Sequence, residues 1–171
     1  MATPWLAQAQ TDPLPGRLGA GACVIMLRHA QTDPGIGDPP GFSLEQCSTQ
    51  RNLSQAGRLQ ARRIGQWFED HGLQPGAVKS SAWCRCKDTA DLAFGRHDVW
   101  PALNSFFESP DASATQTQAL RAALARIPGG KFEVWVTHQV NMTALTGESI
   151  MMGEGVILDS SGKIVARMNF D

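Results

Sequence analysis

Two apolar runs in this chain end in a histidine, and that pairing restricts the fold more than any other feature. The first is Cys23-Val24-Ile25-Met26-Leu27, which stops abruptly at Arg28-His29-Ala30. The second is Phe132-Glu133-Val134-Trp135-Val136-Thr137, followed at once by His138. Short apolar runs of this kind are those of strands buried on both faces of a sheet. In open α/β sheets the ligand crevice lies beyond the carboxyl ends of the strands, where both histidines fall. Either histidine alone reads as a satisfied side chain at a strand–loop boundary. Two of the four histidines in the same position, one of them beside an arginine, point to a shared site.

The segments between these runs carry helical periodicity. Ser54 is placed to cap a helix that runs to about His71 and stops at Gly72, with Ala61, Ile64 and Trp67 or Phe68 on its inner face. A short strand is expected around Val78 to Ser80, then a helix from Ala82 to Phe94 closed by Gly95. Val99-Trp100 reads as a further short strand. A third helix spans 113–127, with Leu120, Ala123, Leu124 and Ile127 as its buried stripe, and a short one spans Val140 to Leu145 before Gly147. Val156-Ile157-Leu158 and Ile164-Val165-Ala166 flank a turn-forming Asp159-Ser160-Ser161-Gly162 and read as a terminal hairpin. Strands alternating with helices predict an α/β domain of three layers around a mostly parallel central sheet.

At 171 residues one domain is expected, taken as 23–171, preceded by a Pro-, Gly- and Ala-rich segment over 1–22 that reads as a loose arm. Within that arm Ala7-Gln8-Ala9 has the small-x-small form of an export-signal cleavage site, so two readings stay open there, a trimmed stub or plain linker. The net charge of −1 argues against nucleic acid or an anionic membrane as the main partner. No apolar run approaches the roughly 20 residues of a membrane span. Residues 33–52 hold three prolines and three glycines and read as a long ordered loop, a length that inside a compact domain is usually functional.

Arg85 supplies a third contribution to the site. It follows Ser80-Ser81 near the first turn of a helix, where a cation is unfavourable unless something anionic lies close by. Arginine offers a planar fork to a phosphate dianion, and histidine is a competent nucleophile at neutral pH. A second histidine can donate to an oxygen on which charge builds during transfer. Arg28, His29, Arg85 and His138 together therefore suit phosphoryl chemistry. His71 reads as a helix-end residue and His97 as a loop residue without an obvious partner. Cys84 and Cys86 are too closely spaced for an ordinary zinc site, and the glycines at 16, 19 and 21 precede a strand and form no dinucleotide fingerprint. No cofactor and no metal are expected.

Leu27-Arg28-His29-Ala30-Gln31-Thr32 resembles the signature of the histidine phosphatase superfamily, the phosphoglycerate-mutase-like fold, with Ala30 where the family usually has glycine. The resemblance continues in order through Leu53-Ser54-Gln55-Ala56-Gly57 with Gln60-Ala61, Ser80-Ser81 with Arg85 and Thr89-Ala90, and Val136-Thr137-His138. It implies that His29 is the nucleophile and that Arg28, Arg85 and His138 bind the phosphoryl group of a small phosphorylated substrate. It also implies phosphomonoester hydrolysis through a phosphohistidine. A phosphoglycerate-type mutase and a non-catalytic phosphate-sensing module are the alternatives.

Glu108, in Asn104-Ser105-Phe106-Phe107-Glu108, lies where many family members carry a proton-donating acid, with Asp111 the next candidate. The Asp33-Pro34-Gly35 loop and the Trp83-Cys84-Arg85-Cys86 run are similar to a small bacterial subgroup that is often exported, which implies a periplasmic location, with the cytoplasm as the alternative. In an exported protein Cys47 would pair with Cys84 or Cys86. The loop over 33–52 and residues 103–115 are expected to rim the pocket, and their mixed polarity leaves sugar phosphates, lipid-linked phosphates and phosphoprotein all open as substrates.

Overall fold

The computed structural model describes residues 13–170. Six strands form one sheet: β1 (Cys23–Arg28), β2 (Ala77–Ser80), β3 (Asp98–Val99), β4 (Phe132–Thr137), β5 (Gly155–Asp159) and β6 (Ile164–Met168). Their order across the sheet is β3-β2-β4-β1-β5-β6. The three pairings among β3, β2, β4 and β1 are parallel, while β5 and β6 close the sheet as an antiparallel hairpin against β1. The mostly parallel α/β sheet expected from the apolar runs is thus what the chain forms.

Alternation along the strands creates the three layers, because successive side chains point to opposite faces. Cys23, Ile25 and Leu27 of β1, with Val134 and Val136 of β4, face a core shared with α1 (Pro13–Ala20), α2 (Gln55–Asp70) and α3 (Cys84–Phe94). Val24 and Met26, with Trp135, face a second core filled by Leu120 and Leu124 of α4 (Ser113–Leu124) and by Met142 and Leu145 of α5 (Gln139–Thr146). Burial on both sides explains why these strands read as unbroken apolar runs.

The helix signals act as anticipated. The Ser54 hydroxyl accepts the Gly57 N–H and caps α2, whose inner face buries Ala61, Ile64 and Phe68, with Trp67 only partly covered. Gly95 and Gly147 end α3 and α5 in the left-handed conformation that glycine adopts without strain.

Two local readings differ. Residues 13–20, which composition places in a loose arm, form helix α1, and Leu18 sits fully inside the first core. A single well-buried leucine outweighs poor helix composition here. The Ala7-Gln8-Ala9 segment lies outside the described residues. His97 does have a partner: its Nδ1 lies 2.7 Å from Asp91 Oδ1 across the end of α3.

Candidate active site

Strands β1 and β4 are adjacent and parallel with Arg28 opposite Thr137, so their next residues, His29 and His138, emerge side by side. The His29 N–H donates to the Thr137 carbonyl at 3.1 Å, continuing the ladder one step past the strand. The two rings stand edge to face with centroids 5.5 Å apart. Strand β2 flanks β4 on the other side, and its exit through Ser81 and Trp83 starts α3, which carries Arg85 into the same crevice.

The backbone around His29 is fixed from three directions. Gly153 N–H donates to the carbonyls of Arg28 and His29, and Ala30 N–H donates to Thr89 Oγ1, whose hydroxyl in turn donates to the Arg85 carbonyl. A Cβ on Gly57 would collide with the Gln31 carbonyl, so the first turn of α2 packs directly on the segment leaving His29. Ala30, where the family usually has glycine, is fully buried in a small cluster with Leu53 and Ala61, which accommodates its methyl group.

His29 is 3% exposed, and its Nδ1–H donates to the Ala30 carbonyl at 2.9 Å. A carbonyl only accepts, so the proton of the neutral ring sits on Nδ1 and Nε2 keeps its lone pair. Burial, joined by the charges of Arg85, Arg28 and Arg51, pushes the His29 pKa down to about 3 against the raising effect of the Ala30 hydrogen bond. The ring is therefore neutral at neutral pH, carrying its single proton on Nδ1. His138 is likewise held well below its ordinary value, by burial first and then by the surrounding positive groups. Its Nε2 lies 2.7 Å from Ser81 Oγ and 3.5 Å from Cys86 Sγ. Ser81 Oγ already accepts the Trp83 N–H, which leaves its own proton to point at Nε2 and favours the Nδ1-protonated form of His138.

Three arginines surround the histidines, one more than sequence reading assigned. Each is anchored through its terminal nitrogens. Arg28 donates to the Ile150 carbonyl and Gln139 Oε1, Arg51 to Thr32 Oγ1 and the Gly35 carbonyl, and Arg85 to both oxygens of Asp38 at 2.8 and 3.2 Å. The Nε of all three is buried and has no hydrogen-bond partner among the described residues. Unpaired buried donors of this kind are costly unless a ligand satisfies them.

Asp38 is the one carboxylate inside this group, 6% exposed in its side chain. Besides Arg85 it accepts the Arg51 backbone N–H and Trp83 Nε1–H. Burial would raise its pKa, but these hydrogen bonds and the Arg85 charge hold it below the usual carboxylate value. Three guanidiniums against one carboxylate leave two positive charges with neutral histidines between them, a match for a phosphate dianion. Arg51 and Asp38 lie in the long loop, where no periodicity marks them in the sequence.

The crevice opens into a cavity of about 370 Å³. Arg28, His29, Arg85 and His138 all line it, so the structure brings these four expected residues together. Glu108 lines the mouth on an exposed turn, whereas Asp111, also exposed, is not part of the lining. The loop over 33–52 is tied to the site covalently by a disulfide between Cys47 and Cys84, with Cα atoms 5.7 Å apart, while Cys86 and Cys23 stay buried and free. Among the described residues no cluster of His, Cys, Asp and Glu is arranged to hold a metal ion.

The family model described as histidine phosphatase superfamily (branch 1) matches residues 24–107. No curated protein sequence matches the chain. Among solved structures, the chain is similar to the SixA protein of Agrobacterium tumefaciens, assigned as a phosphohistidine phosphatase, at 21% identity and a TM-score of 0.59, covering 86% of this chain and 97% of that one. It is also similar to a phosphoglycerate mutase from Thermus thermophilus, at 18% identity and a TM-score of 0.60, covering 87% and 99%. A mycobacterial glucosyl-3-phosphoglycerate phosphatase gives 19% identity and a TM-score of 0.58, covering 80% and 92%. Identities this low carry the fold and nothing finer. With the family match over 24–107 and its motifs converging at the ends of adjacent strands, the chain resembles the histidine phosphatase superfamily and has its phosphoglycerate-mutase-like fold.

Proposed function

We propose that this chain hydrolyses a phosphomonoester in two steps through a phosphohistidine on His29. The observation that carries the reading is the state of His29: a neutral ring, its Nδ1–H spent on the Ala30 carbonyl, in a pocket that Arg28, Arg51 and Arg85 also line. Nε2 attacks phosphorus in line while Arg28, Arg85 and His138 hold the non-bridging oxygens, and the alcohol leaves with a proton from Glu108. Water then attacks the phosphohistidine. Glu108 takes back a proton, and orthophosphate leaves. The three guanidiniums and one carboxylate around the histidines leave two positive charges to neutralise the phosphoryl group, so no step calls on a metal ion. The Cys47–Cys84 disulfide supports an oxidising compartment, the periplasm, as the working location.

Release of orthophosphate from an aryl phosphate tests the reading. The wild type should turn over in the presence of a chelator, and His29→Ala should lose at least about 10⁴-fold in kcat. Equal rates for the two proteins, or a strict metal requirement, would rule the mechanism out. Binding of phosphate without any turnover by the wild type would favour a phosphate-sensing module instead.

A further inference from the structure

Beyond the phosphate-binding floor, the same pocket has a second wall of a different chemistry. Ile36, Phe42, Trp83, Phe107, Val140 and Met152 line it. Trp83 joins the two parts, with its ring centroid 5.3 Å from that of His138 and 5.9 Å from that of Phe42.

Five large hydrophobic side chains stay exposed among the described residues, and two of them belong to this mouth: Ile36 at 92% and Phe107 at 58%. They come from opposite rims, and the two rims approach each other, since a Cβ built on Gly37, next to Ile36, would lie 3.9 Å from the Phe107 ring. Single exposed apolar residues need no explanation. Two that line one cavity together with Phe42, Trp83, Val140 and Met152 belong to one apolar wall, and such walls mark binding sites. Of the polar groups in the lining, Asp38 and Gln139 are engaged by Arg85 and by the Ile150 N–H, which leaves Ser105, Ser109 and Glu108 at the mouth to read the hydroxyls of a sugar.

Resting on the phosphatase reading for the orientation of the ligand, we propose that the substrate is the monoester of an apolar alcohol or phenol, with its leaving group lying against Trp83, Phe42, Phe107 and Ile36. The charged floor then fixes the phosphoryl end, and the apolar wall selects what it is attached to. A sugar phosphate would leave its hydroxyls facing apolar walls, at a loss of affinity. A phosphorylated protein would bring a polar backbone to the same surface.

Binding of n-alkylphosphonates, which cannot be hydrolysed, tests this separately from catalysis. Calorimetry on the full chain from ethyl- to octylphosphonate should show affinity rising by up to about fourfold per buried methylene until the mouth is filled. Ile36→Ser and Phe107→Ser should each shrink the octyl-to-ethyl affinity ratio, with the double variant shrinking it most. A parallel kcat/KM series should favour octyl phosphate over glycerol phosphate and over a phosphoserine peptide. Affinity that is flat with chain length, or a ratio indifferent to both variants, overturns the proposal even if phosphatase activity is present. A kcat/KM that favours the sugar-like ester or the peptide also overturns it. A rising affinity series in a protein that turns over no ester would uphold the apolar ligand and remove the phosphatase reading instead.

Discussion

The floor and the mouth of the pocket are made in different ways. The histidines and Arg85 of the floor are delivered by sheet ends: His29 and His138 leave adjacent parallel strands, Arg85 starts the helix after a third, and all three are under 5% exposed, while Arg51 and Asp38 join them from the loop. The mouth is made of loop, 33–52 on one side and the turns around 105–109 on the other, and it keeps Ile36, Phe107 and Glu108 in solvent. On the proposed mechanism, regular structure places most of the groups whose geometry must hold during phosphoryl transfer, and irregular structure places those that meet the variable part of a substrate. Among the joints between the two regions are the Asp38–Arg85 ion pair and the Cys47–Cys84 disulfide.

Cutting those joints is the first way to break the contrast. Closing a 37-residue separation constrains the unfolded chain by about 4 kcal/mol in the chain-entropy account. The double variant Cys47→Ser/Cys84→Ser should lose stability of that order in urea unfolding. A loss below about 1 kcal/mol would mean that the loop is held by its other contacts alone. Asp38→Asn should cost about 3 kcal/mol, because it leaves Arg85 buried without its counter-charge. It should also lower kcat/KM by roughly 10²-fold through misplacement of that guanidinium. A rise in activity would instead make Asp38 a competitor for the phosphate site.

Glu108 sharpens the comparison from the mouth side. An aryl phosphate leaves well without a proton, so Glu108→Gln should barely slow it, whereas an alkyl phosphate should slow by about 10²-fold. Equal effects on both esters would remove Glu108 from the mechanism, and a selective loss in Asp111→Asn would move the role there.

The smallest effect belongs to acid. His29 in the folded protein stays neutral down to about pH 3, while in the unfolded chain it protonates near 6.5. Between those values the unfolded state binds more protons, so stability falls as the pH drops, by up to about 1.4 kcal/mol per pH unit from this group. His138 acts in the same direction. Unfolding measured between pH 6.5 and 5 should show a shallower slope in His29→Asn than in wild type, and an unchanged slope would place His29 in a wetter setting.

How much the sequence disclosed follows the same division. The strand ends, the Ser54 cap and the glycine stops rest on periodicity and local chemistry, and the structure has them within a few residues. The convergence of Arg28, His29, Arg85 and His138 follows from strand ends that sheet topology lines up. Asp38 and Arg51 were not legible, because the pairing of Asp38 with Arg85 spans 47 positions and a loop carries no period. The choice of Cys84 over Cys86 was equally hidden. Residues two apart at a helix start face different ways, so Cys84 meets the loop while Cys86 points inward to His138. Helix α1 escaped notice because its burial depends on Leu18 finding a core that the local composition does not announce.

The central claim is that the floor makes a covalent bond to phosphorus at His29. Rapid mixing with a radiolabelled substrate, followed by a quench that avoids acid, tests it most directly. The account predicts label on the wild-type chain that is labile to acid and stable to alkali, located at residue 29 and absent from His29→Ala. Label on a serine or cysteine, or full turnover with label never found on His29, would contradict it.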